Sequence, residues 1–161
     1  MHSLDDLESG RLAGTARLDL ACGLERFPPA IYELADSLEV LNLTGNALTS
    51  LPDDLGRLHK LKVLFCSENR LSELPRGIGG CAQLQVVGVK SNRIERVDAA
   101  ALPPRLRSLV LTDNRLASLP EAIGDCRELQ KLMLSGNRLT RLPDSLQRCT
   151  RLEPVSYTHL T

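Results

Sequence analysis

Five cysteines and three histidines are the side chains of this 161-residue chain best suited to metal binding or nucleophilic catalysis. A zinc site needs several such ligands at short spacing, and a nucleophile needs a base held next to it. The chain contains no Cys-x-x-Cys pair, and its histidines, His2, His59 and His159, are widely separated. We therefore predict no metal, no cofactor and no catalytic site, and classify the chain as a non-enzyme.

A glycine-rich segment, Gly77-Ile78-Gly79-Gly80, is the other feature that suggests chemistry. A nucleotide-binding loop would place such a segment directly after a strand, with a lysine following. Here the segment occupies the place in a sequence repeat that Gly56 and Gly124 also occupy. We interpret it as a turn.

The repeat that positions all these residues has a period of 22 or 23. Each unit reads Leu-x-x-Leu-x-Leu-x-x-Asn-x-Leu, usually followed by Leu-Pro. The units start at Leu38, Leu61, Leu84, Leu106, Leu129 and Leu152. Alternating apolar residues such as Leu41 and Leu43 predict a short strand with one buried face. The Leu-Pro pair predicts an irregular or 3₁₀ return path, because proline fixes φ and lacks an N–H.

One asparagine follows each strand at a constant place. These residues are Asn46, Asn69, Asn92, Asn114 and Asn137. An amide side chain both donates and accepts hydrogen bonds, so it can satisfy the backbone of a sharp turn. We predict a structural ladder of buried asparagines.

This motif and its period resemble the leucine-rich-repeat family over most of the chain, from about Ala16 to Leu152. The resemblance implies an α/β-type solenoid in which each coil is buried only by its neighbours. The expected shape is a leucine-rich-repeat horseshoe, with a short parallel sheet on the concave side and an irregular or 3₁₀ convex side.

The two ends of the chain depart from the repeat. Ser3, two acids and then Gly10 predict an N-terminal capping helix within residues 1–14. Residues 15–153 are the expected solenoid, with one degenerate repeat, five clear repeats and a truncated sixth. The tail 154–161 resembles an in-frame translation of a sequencing-library adaptor, which indicates a non-native end of a truncated chain; an irregular natural terminus is the alternative.

No polar cap follows the last clear repeat. Its apolar face should then stay open, at Leu129, Leu132, Leu134, Leu139 and Leu142. We expect fraying of this end or end-to-end self-association of the chain.

The repeat also explains the cysteines. Cys81, Cys126 and Cys149 occupy the inward position that Leu58 holds, and Cys66 replaces a strand leucine. These positions indicate small core side chains. Because Cys126 and Cys149 are equivalent residues of adjacent coils, a disulfide or zinc pair is the alternative.

The variable strand positions should face the concave side, in columns about 4.8 Å apart. The apolar members, with one flanking asparagine and one lysine, form the predicted partner-binding surface. It consists of Val40, Asn42, Val63, Phe65, Val86, Lys90, Val110 and Met133. A contiguous apolar patch on a solvated face is typical of a protein-binding site. The alternative is that valine simply favours strands and is half buried against its neighbours.

An arginine follows four of the asparagines. These are Arg70, Arg93, Arg115 and Arg138. The row is a basic edge that binds an acidic partner or phosphate, or else a row of solvated side chains; both interpretations stay open.

Charge and hydropathy argue against nucleic acid or a membrane as the partner. The 20 basic and 20 acidic residues cancel, so no net field attracts nucleic acid or a membrane surface. No apolar stretch has the length that spans a bilayer, and the N-terminus lacks a secretory signal. We predict a cytoplasmic chain with a protein partner.

Several segments also resemble the N-terminal repeat region of bacterial leucine-rich-repeat serine/threonine protein kinases. They are residues 17–24, 64–67, 92–97, 102–106 and 130–134. This resemblance implies that the chain is the recognition arm of a larger signalling protein. The alternative is a kinase fragment whose repeats support or regulate a catalytic domain outside these residues. The chain has no kinase motif, so no catalytic role is assigned to any residue.

Overall fold

The computed structural model describes residues 1–153, so the predicted non-native tail at 154–161 lies outside the described residues. Within this part of the chain, six three-residue strands form one parallel sheet in sequence order. They are β1 (Arg17–Asp19), β2 (Val40–Asn42), β3 (Val63–Phe65), β4 (Val86–Gly88), β5 (Ser108–Val110) and β6 (Lys131–Met133). The predicted parallel sheet is confirmed.

Short 3₁₀ helices form the return path of each coil, as predicted. They are η1 (Pro29–Leu34), η2 (Leu55–Arg57), η3 (Arg76–Gly80), η4 (Ala99–Ala101), η5 (Glu121–Asp125) and η6 (Asp144–Arg148). Proline precedes η3, η5 and η6 at the N-cap in extended geometry. A single parallel bridge between Glu73 and Arg96 links two coils on this descending side.

The near-constant period of 22 or 23 residues sets the register of the sheet. Each strand residue pairs with its equivalent in the next coil, so Leu41 lies opposite Leu64 and Leu64 lies opposite Val87. These central strand residues point inward and are fully buried. The leucines of all coils form one continuous apolar core, because each coil covers the inner face of the next.

Four of the five cysteines belong to this core, in agreement with the prediction. Cys66 and Cys81 are fully buried, and burial raises the pKa of both thiols to about 12. Cys149 and Cys126 are both free thiols, and the Sγ atom of Cys149 donates to the Cys126 carbonyl at 3.4 Å. Both side chains lie in the apolar core, each 4% exposed.

The asparagines make a repeated set of hydrogen bonds between coils. The Asn92 amide nitrogen donates to the carbonyls of Cys66 and Val89, both at 3.0 Å. Its oxygen accepts from the Leu71 N–H at 3.0 Å. Asn69, Asn114 and Asn137 are buried in the same way. Asn46 is only half buried, because its neighbour is the shorter first coil, whose Cys22 and Leu24 N–H groups donate to the Asn46 oxygen.

The N-terminal end is closed by α1 (Leu4–Glu8) and the residue before its cap. The Ser3 hydroxyl caps the helix by accepting from the Asp6 N–H at 3.1 Å. His2 then pairs with the outer edge of β1: its N–H donates to the Asp19 carbonyl at 2.9 Å, and its Nδ1 accepts from the Asp19 N–H at 3.0 Å. The free edge of the sheet is thereby covered.

The expectation of an open apolar face at the other end is wrong for four of its five leucines. Leu129, Leu132, Leu134 and Leu139 are at most 2% exposed, and only Leu142 is half buried. Leu146 of η6 is buried in the same core, and Leu152 packs against it. The start of the next coil is thus sufficient to cover the last clear repeat.

The glycine-rich segment lies in η3 and is a turn, as interpreted. A Cβ atom added at Gly79 would collide with the carbonyl oxygen of Ala100 in the next coil. At the adjacent Gly80, by contrast, the nearest atom would be 3.8 Å away. Glycine at position 79 therefore permits close packing of two coils.

Candidate functional site

Two columns of side chains from the six strands make up the concave face. The in-register pairing aligns the first residue of each strand and, separately, the third. The first column is Arg17, Val40, Val63, Val86, Ser108 and Lys131. The second column is Asp19, Asn42, Phe65, Gly88, Val110 and Met133. All six predicted apolar residues of the surface are therefore brought together.

These six apolar side chains are half buried, so the patch is less open than a row of fully solvated residues. Within residues 1–153, the one large apolar side chain classed as exposed is Met1, at 86%. Adjacent residues of a parallel sheet shield each other, because neighbouring strands lie about 4.8 Å apart. The valines are therefore half buried against their neighbours, as one of the two interpretations stated. The six apolar side chains still form a continuous surface on the concave face.

Phe65 lies across the position of Gly88 in the next strand. A Cβ atom at Gly88 would lie 2.9 Å from Cδ1 of the Phe65 ring, closer than real Cβ contacts. The absence of a side chain at Gly88 therefore lets the ring settle against β4. The sequence signal for this contact is the glycine at the end of β4, the one strand that has no side chain in the second column.

The β1 end of the face is polar and internally paired. Asp19 accepts two hydrogen bonds from Arg17, at 2.8 and 2.9 Å, and one from the Asn42 amide at 3.0 Å. The hydrogen bond from Arg17 lowers the pKa of the Asp19 carboxyl. The Asn42 oxygen also accepts from the Thr44 N–H at 3.1 Å. Both polar groups of the Asn42 side chain thus already have a hydrogen-bond partner within the protein.

Lys90 lies beyond the strand columns and is exposed. Its carbonyl accepts from the N–H of Glu68, which has a left-handed φ of 54°. Ser91 and Asp113, the equivalent residues of the next two coils, have φ values of 57° and 56°. These turn residues form a polar rim beside the apolar columns.

The predicted basic edge is an ordered row on the backbone. Its members are Arg70, Arg93, Arg115 and Arg138, all exposed. Each donates its N–H to a carbonyl of the preceding coil, at 2.8 or 2.9 Å. Within the described residues, none of these guanidinium groups forms an ion pair with a carboxylate.

The described part of the chain, residues 1–153, contains no group of three or more His, Cys, Asp or Glu residues placed to hold a metal ion. His59 contacts Asp36 at 3.1 Å on the surface, and His2 is used at the sheet edge. In the same residues, no helix has the length and apolar character needed to cross a bilayer.

The sequence matches the family described as "Leucine rich repeat" at residues 36–100 and 104–156, which is most of its length. The chain belongs to the leucine-rich repeat family. Its strands, asparagine ladder and 3₁₀ return path are the structural counterparts of that match.

Solved leucine-rich repeat structures are similar to this chain. One is the ectodomain of the plant membrane receptor kinase GASSHO1/SCHENGEN3 from Arabidopsis thaliana, in complex with CASPARIAN STRIP INTEGRITY FACTOR 2. Its TM-score is 0.75 and its identity 28%, over 91% of this chain and 18% of that chain. Another is the plant peptide hormone receptor RGFR1 in complex with RGF2, with TM-score 0.70 and 28% identity over 89% of this chain and 27% of that one.

An internalin from Listeria monocytogenes shares the fold, with TM-score 0.67 and 23% identity over 84% of this chain and 38% of that chain. No curated protein sequence is significantly similar to the chain. The leucine-rich repeat chain spans well under half the length of each of these three solved structures.

Proposed function

We propose that this leucine-rich repeat chain is a non-catalytic module that binds a protein or peptide through its concave face. The observation that carries the proposal is the continuous apolar surface formed by the two strand columns. Its centre is Phe65, flanked by Val63 and Val86 in the neighbouring column. Apolar and aromatic side chains at the centre of a polar rim are the usual composition of a protein interface.

The structural relatives support a peptide or protein as the partner. Two solved structures that are 28% identical to this chain are plant receptors in complex with RGF2 or with CASPARIAN STRIP INTEGRITY FACTOR 2. The proposal includes a cytoplasmic location, because four of the five cysteines are buried side chains of the apolar core and do not form a disulfide framework of the kind found in small secreted domains. The proposal does not include end-to-end self-association, because four of the five leucines expected to form the open face, Leu129, Leu132, Leu134 and Leu139, are buried.

The test is capture of partners from a lysate of the source organism by the wild-type chain and by the double variant Phe65→Asp, Met133→Lys. Two charges of opposite sign placed on the apolar columns should remove at least about 90% of specific capture, since desolvating an unpaired charge is costly. Captured partners should also protect the strand amides of β2–β6 from hydrogen exchange.

The matched control is Ala82→Asp with Thr140→Lys, which introduces the same two charges at exposed positions outside the strands. This control should capture the same partners as the wild type. Equal capture by all three proteins, or protection confined to the convex side, would contradict the concave-face proposal.

A second candidate is that the chain is part of a serine/threonine kinase and that its repeats support or regulate the catalytic domain. The likeness to the ectodomain of a receptor kinase favours this candidate. Sequencing the genomic locus beyond codon 153 tests it, because a glycine-rich loop followed by kinase lysine and aspartate motifs would identify the larger protein. A stop codon there would exclude it. In a full-length kinase, the Phe65→Asp, Met133→Lys variant should change kinase activity rather than capture.

A further inference from the structure

A polar cleft of about 510 Å³ lies at the N-terminal ends of the last strands, outside the apolar columns of the concave face. It is lined by Gln85, Arg105, Arg107, Glu128, Gln130 and Arg151. Three of these residues directly precede β4, β5 and β6. The cleft is therefore built on the regular backbone ladder and does not depend on a loop.

Arg107 is held at the centre of this cleft by neutral groups. Its backbone N–H donates to the Gln85 carbonyl at 2.8 Å, and its own carbonyl accepts from the Gln130 N–H at 2.7 Å. Its guanidinium donates to the side-chain oxygens of Gln85 and Gln130 at 3.4 and 3.5 Å. The amides orient the guanidinium and leave its positive charge unneutralised.

The residue equivalent to Arg107 two coils earlier, Lys62, directly precedes β3 and has a partner of opposite charge. It forms an ion pair with Glu39 at 3.3 Å. Within the described residues, Arg105, Arg107 and Arg151 form no ion pair with a carboxylate. Among the described residues, the three guanidinium groups that line the cleft are thus not paired with a carboxylate.

Arg105 is brought to the cleft by the irregular coil. Pro103 and Pro104 precede it, and the Leu106 N–H donates to the Pro103 carbonyl at 3.3 Å. Because proline fixes φ, the approach of the chain to Arg105 is rigid. Pro103 is buried and Arg105 is exposed, so the turn presents this guanidinium to solvent beside Arg107.

We propose that this cleft binds a phosphoryl group carried by a peptide. Three guanidiniums and the Glu128 carboxylate leave a formal charge of +2 in the lining, and a phosphorylated side chain carries about −1.5 to −2 at neutral pH. A phosphoryl group also has three terminal oxygens for guanidinium donors, whereas a carboxylate has two. The donor set and its charge therefore match a phosphomonoester better than an acidic side chain.

A peptide is the favoured carrier because the cleft adjoins the concave face. Arg107 is followed at once by Ser108, and Gln130 by Lys131, both in the first strand column. A peptide on the apolar columns would reach the cleft within a few residues, a step that rests on the proposed function. The zero net charge of the chain argues against a polyanion such as nucleic acid.

The experiment is a heteronuclear NMR titration of the full chain with inorganic phosphate and with three acetylated pentapeptides, Ala-Val-X-Val-Ala, in which X is phosphoserine, serine or glutamate. We expect phosphate and the phosphoserine peptide to shift amides of residues 85, 105–107, 128–130 and 151. The serine peptide should bind at least about tenfold more weakly than the phosphoserine peptide, because it lacks the charge-assisted hydrogen bonds.

The variant Arg105→Gln, Arg107→Gln should weaken phosphoserine-peptide binding about tenfold or more. Its matched control, Arg26→Gln with Arg141→Gln, removes the same charge from exposed positions outside the cleft and the basic edge and should change affinity by less than about twofold. The single variant Arg151→Gln, at an exposed side chain, provides a second measurement if the double variant unfolds. It should weaken binding at least about threefold, since one charged hydrogen bond is lost.

Equal weakening by the cleft and control variants would overturn the proposal, since the effect would then be a general field of surface arginines. Equal affinity for the glutamate and phosphoserine peptides would overturn the phosphoryl assignment. Binding of phosphatidylserine vesicles without binding of the peptide would overturn the peptide carrier. Inorganic phosphate should still bind the Phe65→Asp, Met133→Lys variant, so failure of the concave-face proposal is distinguishable from failure of this one.

Discussion

The asparagine ladder and the concave columns both recur once per coil. The residue type is the same in each coil of the ladder, whereas it changes from coil to coil in the columns. At the ladder, the same residue type makes the same bonds in successive coils, as Asn92 does with Cys66, Val89 and Leu71. At the concave columns, the backbone pairing is just as regular, but the side chains change from Asn42 to Phe65 to Gly88.

The difference shows that the fold and the binding surface are specified by separate positions. A buried amide cannot be replaced without leaving carbonyls and N–H groups unpaired, which costs on the order of 1–3 kcal/mol for the substitution as a whole. A side chain on the concave face makes no bond that the sheet requires, apart from Asn42 and its neighbour Asp19. Substitutions at the two kinds of position should therefore separate stability from binding.

The largest loss of stability is expected at Gly79, where an added side chain would have no space between two coils. Gly79→Ala should lower the free energy of unfolding by about 3 kcal/mol, because the new Cβ atom would collide with the Ala100 carbonyl and force the backbone apart. Gly80→Ala, one residue later, should cost less than about 1 kcal/mol, since its Cβ atom has space. Urea denaturation of both variants measures the contrast, and equal losses would contradict close packing at Gly79.

Asn92→Ala should cost about 1–3 kcal/mol, because the Leu71 N–H and the carbonyls of Cys66 and Val89 lose their partner. Asn42→Ala is the same chemical change on the concave face and should cost less than about 1 kcal/mol, since Asn42 is only half buried. Equal unfolding free energies for the two variants would remove the distinction between ladder and surface.

The rate at which each cysteine reacts with a thiol reagent also distinguishes the interior from the surface. In the native protein, Cys22 should react rapidly with a thiol reagent, whereas Cys66 and Cys81 should react only after unfolding. Burial raises the pKa of both core thiols to about 12 and excludes the reagent. Counting labelled thiols by mass spectrometry, before and after adding guanidinium, tests this prediction; rapid native labelling of Cys66 would show that the coils separate.

The smallest effect concerns pH at the polar end of the concave face. The hydrogen bond from Arg17 lowers the pKa of Asp19, so the ionised carboxylate is favoured by folding. This contribution is present above the unfolded value of about 3.9 and is lost as the pH falls through the lower folded value. Asp19→Asn should therefore show a smaller fall in stability between about pH 4 and pH 2 than the wild type, measured by thermal unfolding. A steeper fall in the variant would contradict the assignment.

The repeat was sufficient to predict the sheet, the return path and the asparagines, because these features depend on residue type at a fixed spacing. It did not predict that Phe65 rests on Gly88, since that contact depends on which two residues become neighbours across coils. It also missed His2 at the edge of β1, which lies outside the periodic region. The burial of Leu139 was mispredicted, because a partial coil proved enough to cover it.

The candidate sites, too, could be predicted from the sequence only where they depend on residue type at a fixed spacing. The columns of the concave face could be listed from the sequence, but the half-burial of Val63 and Met133 depends on side chains packed across the sheet. The cleft at Arg105 and Arg107 was not recognised, because the signal is that the neighbours of Arg107 at the equivalent places of adjacent coils, Gln85 and Gln130, are amides and not carboxylates. That signal becomes visible only when Lys62 and its partner Glu39 are compared with Arg107.

The ladder also determines how such a gene can change length. Each asparagine bonds to the coil before it and accepts from that coil in turn, so every junction between coils has the same chemistry. Duplication or loss of one whole coil of codons would rejoin two compatible surfaces and widen or narrow the concave face by about 4.8 Å. Loss of a single codon fits the return path, as the coil that contains Ala99–Ala101, one residue shorter than its neighbours, already shows.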